Sequence, residues 1–321
     1  QYGGKENIDA IAFLRRFNEE VYKNYPDVQT FAEESTSWGM VSRPTYAGGL
    51  GFGFKWDMGW MHDTLSYLRN DPIHRRWHHD QLTFRSVYMD AESYALPLSH
   101  DEVVHGKGSL LMKMAGWHIA NKASTLRALL AHQWLWPGKK LLFMGQEFGQ
   151  WHEWRHGEAL DWALLAHPDH QRMRDLVRDL NHLYSSMPQL HGSDCEGAGF
   201  GGLDLHNASE SIYVFERHAT QGRDGSTLIC AFNATPVPRA DYWIGVDQPG
   251  IYRKVLDSDD PRYGGSGYCA TEAFEAVEGG AHGRQAAVGK APFQGVQCDL
   301  GLEAGAGRAQ GQVLQIVAAG Y

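Results

Sequence analysis

The first 190 residues alternate short apolar runs with longer stretches in which apolar residues recur at three- and four-residue spacing. The short runs predict buried strands and cover residues 28–32, 54–57, 95–98 and 140–144. The longer stretches predict helices over a segment after Asn7 and over residues 60–70, 76–90, 117–136 and 161–190. Strands that alternate with helices pair in parallel through helical crossovers, so the pattern predicts a parallel sheet of four strands.

The first predicted helix has signals at both of its ends. Asn7 is a favourable N-cap residue, and Pro26 ends the helix because proline cannot continue it. The apolar residues between them share one face and are expected to point into the core: Ile8, Ile11, Leu14, Phe17 and Val21.

The pattern changes after residue 190. Apolar and alternating runs at 211–215, 227–232 and 312–317 stand between glycine-rich turns. Short strands with such turns predict an antiparallel β-sandwich. We therefore expect two domains, at 1–190 and 191–321. Glycine and alanine are so frequent at 264–310 that the pattern assigns no element there.

Charged residues directly follow two of the predicted strands. The run at 95–98 passes into Ser-His-Asp-Glu-Val-Val-His-Gly-Lys at 99–107, and the run at 28–32 passes into Glu33. In an α/β barrel the loops after the strands carry the chemistry, so Glu33 and Asp101 are expected at one mouth. Two carboxylates beside aromatic residues favour chemistry on a glycosidic bond.

Three other interpretations fit the same residues less well. Ser99, His100 and Asp101 are consecutive, whereas a serine hydrolase assembles its triad from residues brought together by the fold. His100 and His105 are five residues apart, not the four that places two zinc ligands on one helical face, so we expect no metal. A solvated charged loop does not explain the abrupt change from an apolar run.

Composition argues against several classes of partner. The net charge of −9 and the absence of a basic run argue against a nucleic-acid partner. No stretch reaches the ~20 continuous apolar residues of a membrane span. The four cysteines have neither metal-binding nor compact disulfide spacing, which predicts reduced thiols in a cytoplasmic protein; they are Cys195, Cys230, Cys269 and Cys298.

Four motifs carry a resemblance to a known family. They are Ala-Glu-Glu-Ser-Thr at 32–36, Lys-Trp-Asp-Met-Gly-Trp-Met-His-Asp at 55–63, the segment at 99–107, and Leu-Phe-Met-Gly-Gln-Glu-Phe at 142–148. In this order they resemble the glycogen branching enzymes of the α-amylase clan, and the likeness extends to about residue 260. The resemblance implies that residues 1–190 are the C-terminal half of a (β/α)8 TIM barrel, strands five to eight, followed by an all-β domain.

The resemblance also implies roles for individual residues. Glu33 takes the place of the general acid/base, and Asp101 that of a third acid, with His100 beside it on the same sugar. Further sugar contacts are expected from aromatic faces and polar groups near the mouth: Trp56, Glu147, Trp154 and His105. Core packing is the alternative for both tryptophans, and an ordinary surface histidine for His105. The implied substrate is an α-1,4-glucan such as glycogen, with no metal or organic cofactor.

A nucleophilic aspartate is the feature that the motifs lack. The family's nucleophile follows the fourth strand, and the sequence before Glu33 offers only Asp9, in a predicted helix, and Asp27, in a turn. We therefore expect a branching-enzyme fragment that is inactive alone and requires the missing N-terminal half of the barrel. A half-barrel leaves strand edges unpaired, so the chain is expected to associate. The alternatives are an α-glucan hydrolase or debranching relative, and a non-catalytic glucan-binding remnant.

Overall fold

The computed structural model describes residues 4–219, 227–293 and 314–320. Its α-helices within these ranges are α1 Ile8–Asn24, α2 Met58–Arg69, α3 Asp80–Thr83, α4 Leu110–Lys113, α5 Ile119–Leu135, α6 Pro168–Ser186 and α7 Pro188–His191. Its strands are β1 Phe31–Ala32, β2 Phe54–Trp56, β3 Tyr94–Leu98, β4 Lys139–Leu142, β5 Phe200–Asn207, β6 Ile212–His218, β7 Thr227–Asn233, β8 Arg239–Val246, β9 Gly250–Asp257, β10 Ala273–Glu278, β11 Ala286–Phe293 and β12 Leu314–Gly320.

The first four strands form one parallel sheet in the order β1-β2-β3-β4. Helical segments return the chain between β2, β3 and β4, which confirms the predicted parallel pairing through crossovers. β3 lies inside the sheet, and all five of its residues are buried. Its sequence, Tyr-Ala-Leu-Pro-Leu, suits that position because an inner parallel strand is covered on both faces.

The two outer strands of this sheet are less buried than the sequence predicts. The pattern predicts a buried strand at 140–144, but β4 is only half-buried along its length. β1 has two residues, and its Phe31 is 47% exposed. Each outer strand pairs with a single neighbour among the described residues, so its other edge carries unpaired backbone groups.

α1 begins as predicted but buries a different set of side chains. The Asn7 side chain accepts a hydrogen bond from the first turn and caps the helix. Ile11 packs against a small core cluster, but Ile8 and Phe17 are 50% and 44% exposed, so the inward prediction is wrong for these two. The buried residue of α1 is the polar Asn18, whose amide donates to a loop carbonyl and thereby docks the helix.

The helix predicted at 76–90 is broken into short pieces. α3 has four residues and lies between 3-10 helices at Pro72–Trp77 and Phe84–Val87. Two buried arginines account for the break: Arg75 donates to three backbone carbonyls, and Arg85 donates to a buried carboxylate. These bonds hold both guanidinium groups inside the core. The backbone near Arg75 and Arg85 therefore forms short helical pieces instead of one regular α-helix.

A 3-10 helix and two α-helices replace the single helix predicted at 161–190. A 3-10 helix, Trp162–Ala166, comes first, and Pro168 then occupies the first turn of α6. Proline favours this position because its fixed φ suits the helix and its missing N–H would be unpaired there. Pro188 starts α7 in the same way.

The remaining eight strands form a second sheet in the order β5-β6-β7-β12-β9-β10-β11-β8. Neighbours pair antiparallel except at β12, which runs parallel to both β7 and β9, so uniformly antiparallel pairing is wrong there. The reason is that β7 and β9 share one direction, and a strand inserted between them pairs with both in the same sense. β10 and β11 lie in the segment that the sequence left unassigned, and residues 294–313 lie outside the described ranges.

One large apolar core joins the two sheets. The rings of Tyr213 on β6 and Phe232 on β7 stack 4.7 Å apart. Trp136, which follows α5, meets Phe215 edge-on at 4.7 Å. The C-terminal strands therefore stabilise the same core as the helices of the parallel sheet.

Two expectations from composition concern the membrane and the cysteines. Among the described helices, none combines the length and the apolarity that a membrane crossing requires. Cys195, Cys230 and Cys269 carry thiols rather than disulfides, and Cys298 lies outside the described residues.

Candidate active site

The carboxyl ends of the parallel strands bring the predicted residues to one end of the sheet. We call this end the carboxyl edge; it is distinct from the unpaired side edges of the outer strands. Because β1 to β4 run in the same direction, the residues that follow them meet there. Glu33 follows β1, Trp56 ends β2, His100 and Asp101 follow β3, and Glu147 follows β4. All five residues therefore lie at or just after the carboxyl ends of the parallel strands.

Glu33 and Glu34 have different surroundings at this edge. The Glu33 side chain is exposed, whereas an Oε2 atom of Glu34 lies 2.7 Å from Nζ of Lys55. Burial by itself raises the pKa of Glu34, but hydrogen bonds from Lys55 and Thr36 outweigh burial and lower that pKa overall. Glu34 is therefore an ionised structural group that fixes the turn after β1.

His100 and Asp101 share a 3-10 turn directly after β3. Nε2 of His100 lies 3.2 Å from Oδ1 of Asp101, and the two side chains are 49% and 40% exposed. The next residue, Glu102, is buried, and its carboxylate lies 3.5 Å from Nζ of Lys107 and 3.8 Å from Nζ of Lys113. The turn thus exposes the side chains of His100 and Asp101, and the buried carboxylate of Glu102 holds it in place.

Aromatic rings connect the loops that follow β3 and β4. Phe143 meets Trp154 edge-on, with ring centroids 5.1 Å apart at 89°, and its ring centroid lies 5.9 Å from that of His100. The amide of Trp154 also donates to the carbonyl of Val103 at 3.0 Å. Trp154 is half-buried, so part of its ring serves packing and the rest remains accessible.

The loops at 100–108 and 151–158 border an open hollow of about 650 Å³, which we call the loop hollow. Its lining includes His100, His105 and Trp154, so three predicted site residues come together there. The other four predicted site residues are not among its lining residues: Glu33, Trp56, Asp101 and Glu147. Across the part of the chain that the structure describes, no group of three or more His, Cys, Asp or Glu side chains is arranged to hold a metal ion.

Sequence reasoning missed two carboxylates that organise this region. Glu153 accepts the amide of Gly108 at 2.8 Å, and hydrogen bonds from the amides of Gly106 and Gly108 lower its pKa. Asp57 caps α2 and also lies 2.6 Å from Nε of Arg85, with both side chains buried. An aspartate directly before a helical run is a cap signal, whereas Glu153 has no local signal because its partners lie on another loop.

Comparison with known proteins agrees with the resemblance carried by the four motifs. Residues 203–297 match the family described as "Alpha amylase, C-terminal all-beta domain". The chain is 52% identical over 286 residues to the 1,4-alpha-glucan branching enzyme GlgB of Aquifex aeolicus, and 51% identical over 285 residues to that of Aromatoleum aromaticum. Over this stretch the chain is a homologue of the branching enzymes. This branching-enzyme homologue matches over 88% of its own length but spans only 45% and 44% of those two relatives.

Solved structures agree on the fold of this branching-enzyme homologue. A cyclomaltodextrinase superposes with a TM-score of 0.56 at 14% identity, over 88% of this chain and 42% of that protein. An alpha-amylase from H. orenii superposes with a TM-score of 0.55 at 13% identity, over 91% of this chain and 57% of that protein. The shared architecture is an α-amylase-type fold with a C-terminal β domain, and at such low identity the likeness concerns the fold alone.

Proposed function

We propose that this chain is the part of a 1,4-alpha-glucan branching enzyme that supplies the general acid/base and the sugar-binding groups of the reaction. The observation that carries the proposal is the 52% identity over 286 residues to a protein named for that activity. The position of the motifs supports it, because they follow parallel strands at one edge of a sheet, where barrel enzymes carry their chemistry.

The domain arrangement follows from the same proposal. Residues 1–190 form the second half of an eight-stranded barrel, and residues 191–321 form the β-sandwich domain that follows it. The open edges of β1 and β4 support this, since strands of the other half would pair there and close the sheet. The thiols without disulfides support a cytoplasmic location.

The nucleophile comes from outside these 321 residues in this proposal. Asp9 lies in the first turn of α1, and Asp27 lies in the turn before β1, so neither follows a strand. The partner that completes the site is the other half of the barrel, which brings the nucleophilic carboxylate to the carboxyl edge.

The reaction is a retaining transfer through a covalent glycosyl intermediate. The nucleophilic carboxylate bonds to C1 of the donor as the C1–O4 bond breaks, and Glu33 gives its proton to O4. An acceptor chain then enters, Glu33 takes the proton from its C6 hydroxyl, and O6 bonds to C1 as the carboxylate leaves. Glu33 ends protonated as it began, and the two carboxyl groups must stand ~5–5.5 Å apart.

The other predicted residues hold the glucan during these steps. Asp101 and His100, 3.2 Å apart and both accessible, are suited to bind adjacent hydroxyls of one sugar. Trp56 and Trp154 offer flat faces to sugar rings, while Glu147 and His105 accept or donate hydrogen bonds to hydroxyls. The substrate is an α-1,4-glucan.

A chimera tests the proposal directly. The matched 286 residues of the Aquifex aeolicus relative are replaced by those of this chain, and the purified chimera is incubated with linear α-1,4-glucan. We expect new α-1,6 linkages from the chimera and none from the 321-residue chain alone, since the latter lacks the nucleophile. A folded chimera that makes no branches would overturn the proposed function.

Product analysis separates the two alternatives. A hydrolase or debranching relative would release free reducing ends without gaining α-1,6 linkages. A glucan-binding remnant would bind glycogen and leave the linkage composition unchanged. The identity to proteins named as branching enzymes favours transfer over both.

A further inference from the structure

We propose that Lys113 is a positioning residue: its buried ammonium group holds, through Glu102, the turn that carries Asp101, and loss of its charge makes glucan transfer fail at alkaline pH. The role in transfer rests on the proposed function, because Asp101 acts on the donor sugar only as part of a branching enzyme. The hold on the turn rests on contacts within the described residues alone.

Glu102 provides the buried side chain of that turn. The 3-10 helix His100–Glu102 has three residues, and of these only Glu102 is buried. Its Oε1 lies 3.5 Å from Nζ of Lys107, and its Oε2 lies 3.8 Å from Nζ of Lys113. The Lys107 side chain is 48% exposed, whereas that of Lys113 is 5% exposed. Because water screens exposed charges, the attraction that fixes Glu102 comes mainly from Lys113.

Lys113 presents its ammonium group from a helix that is held at both ends. α4 begins after its cap Ser109, whose hydroxyl donates to the carbonyl of Trp151 at 2.9 Å. At the other end, Nζ of Lys122 donates to the carbonyls of the residues on either side of Lys113, at 2.8 and 2.5 Å. These bonds hold the α4 backbone independently of the turn, so the ammonium group is a fixed point from which Glu102 can be held.

The ammonium group of Lys113 is buried at a cost to the fold. It could donate three hydrogen bonds, but its Nζ has no hydrogen-bond partner among the described residues. Buried polar groups are normally hydrogen-bonded, so a buried charge whose ion pair spans 3.8 Å lowers stability. An apolar side chain of the same length would serve the core better, which favours a role in the site over a role in the fold.

Charged groups from four segments act on this ammonium group. They are Glu102 on the turn after β3, Lys107 on the loop that follows it, Arg69 at the end of α2 and Glu153 on the loop at 151–158. Burial lowers the pKa of Lys113 from 10.5 to about 8; the two carboxylates oppose this shift, and the other two cations add to it. Lys113 is therefore charged at neutral pH, and it releases Glu102 as the pH rises through about 8.

Stability and positioning should respond to this titration in opposite directions. The unfolded chain keeps the Lys113 proton up to about pH 10.5, and the folded chain keeps it only up to about pH 8. The stability linked to this group is therefore present above pH 10.5 and lost as the pH falls towards 8, so it rises with pH between these values. A loss of transfer that Lys113 causes in this range reports the turn rather than unfolding.

The pH dependence of branching by the chimera tests the role in transfer. At pH 7, Lys113→Met should lower kcat about 10–100-fold and change KM by less than about threefold, because a misplaced Asp101 affects the reacting sugar more than the bound chain. The unmodified chimera should lose activity as the pH rises through about 8, and Lys113→Met should lack this loss. Lys113→Arg stays charged throughout, so it should keep its activity at pH 7 and above pH 8.

Lys107→Met is the matched control. It removes an ammonium group at a similar distance from the same carboxylate, but an exposed one, so kcat should fall less than about twofold and the alkaline loss of activity should remain. An alkaline loss that persists in Lys113→Met would overturn the positioning role, and so would equal effects of the two variants.

Hydrogen exchange in the 321-residue chain tests the hold on the turn without any activity. The amides of Glu102 and Val103 donate to carbonyls within the turn, at 3.2 and 2.9 Å. At pH 7 they should exchange about tenfold faster in Lys113→Met than in the unmodified chain or in Lys107→Met, as measured by NMR. The Tm of Lys113→Met should not fall, since this variant buries no charge at position 113. Unchanged exchange in this variant would overturn the inference.

Lys113→Arg supplies a second comparison if Lys113→Met does not fold. At pH 9 the unmodified lysine has lost its charge and the arginine has not, so the same two amides should exchange faster in the unmodified chain. Equal exchange in the two chains at pH 9 would overturn the hold on the turn.

The two measurements separate this inference from the proposed function. If the chimera makes no branches while Lys113→Met frees the turn in the chain, the proposed function fails and the hold on the turn stands. If the chimera makes branches and Lys113→Met leaves kcat, the alkaline loss and the exchange unchanged, the positioning role fails alone.

Discussion

Glu33 and Glu34 are neighbours in sequence that the fold assigns to different tasks. The register of β1 on β2 places Lys55 opposite Ala32, which brings the lysine to 2.7 Å from Glu34. A carboxylate that is already ionised and paired is a poor proton donor. The exposed Glu33 is therefore the better candidate for acid/base work.

The first prediction separates these two carboxyl groups in the chimera. Glu33→Gln should lower the branching rate by about 10²–10⁴-fold, because glutamine neither gives nor takes the proton. Glu34→Gln should lower the Tm but slow branching by less than about tenfold, because it removes an ion pair and no proton transfer. Rates are measured as α-1,6 linkages formed per minute, and equal losses of rate at the two positions would contradict the assignment.

The second prediction concerns the buried pair between Asp57 and Arg85, whose side chains are each 2% exposed. Asp57→Asn should destabilise the chain by about 3–5 kcal/mol, because it leaves the Arg85 charge buried without a counter-ion. Urea unfolding with an unchanged m-value measures the loss. Arg16 pairs with Glu20 at the surface with 80% exposure, so Arg16→Gln is the control and should change stability by less than ~0.5 kcal/mol. A similarly small change in Asp57→Asn would refute the account.

The residues that sequence reasoning identified are those whose chemistry is visible locally. Glu33 and Asp101 directly follow apolar strands, and that position alone suggests a site. Asp57 and Glu153 escaped notice because their partners are distant: Arg85 lies 28 residues away, and Gly108 lies 45 residues away. Pairing between distant segments is a property of the folded chain, and no spacing rule within a motif indicates it.

Exposed apolar side chains occur in α1, just after it, and in β1, an outer strand of the described parallel sheet. β1 is an outer strand, and Phe31 in it is 47% exposed. Phe13 on α1 is 67% exposed, and Tyr25 just after that helix is 66% exposed. Apolar surface beside unpaired backbone groups is a template for association with another chain.

The third prediction is that the chain alone self-associates through this surface. Phe13→Lys combined with Phe31→Lys should lower the associated fraction. Phe13 is 67% exposed, but Phe31 is 47% exposed and stacks on Phe54 at 4.9 Å, so a small fall in Tm should accompany the change. Sedimentation velocity measures the fraction. Trp77 is 62% exposed on a 3-10 helix after α2, so Trp77→Lys is a control that should leave association unchanged. A monomeric unmodified chain would contradict the prediction.

The sequence predicts the burial of a strand correctly when the strand has neighbours on both sides, and incorrectly when it has a neighbour on one side only. β3 reads as a buried strand and is one, because it has neighbours on both edges. β4 is predicted from the apolar run that follows Lys140, but it lies on the outside of the sheet, and nothing in its own residues indicates that its second neighbour is absent from the described sheet. The prediction of a single helix at 76–90 is wrong because the hydrogen bonds of two buried arginines, and not the spacing of apolar residues, determine the backbone conformation there.

α5 links the two sheets: its Gln133 donates to carbonyls of β3 and β4, and its Leu135 carbonyl accepts from β6. Arg217 on β6 donates to the carbonyl of Leu135 at 2.8 Å and pairs with Asp194 at 2.9 Å. His132 on α5 accepts the indole N–H of Trp60 at Nε2 and lies 2.7 Å from the Tyr213 hydroxyl at Nδ1. Loss of contact at this junction should therefore destabilise both sheets together.

The fourth prediction uses His132 as a reporter of that junction. Burial, with the nearby charges of Arg85 and Lys140, lowers the pKa of His132 from 6.5 to about 3. The unfolded chain therefore binds one more proton than the folded chain between these values, and the contribution of His132 to stability, complete above pH 6.5, is lost as pH falls towards 3. Its loss amounts to about 1.4 kcal/mol per pH unit in this window.

Replacing His132 by glutamine removes this titration and gives the test. The difference in unfolding free energy between the unmodified chain and His132→Gln should be largest at pH 7–8 and should shrink steadily below pH 6.5, as measured by urea unfolding at each pH. His78 is exposed and lies outside this junction, so His78→Gln is the control and should change the unfolding free energy at pH 7–8 by less than ~0.5 kcal/mol. A constant difference for His132→Gln from pH 7 to pH 5 would mean that the ring is not held neutral between the two sheets.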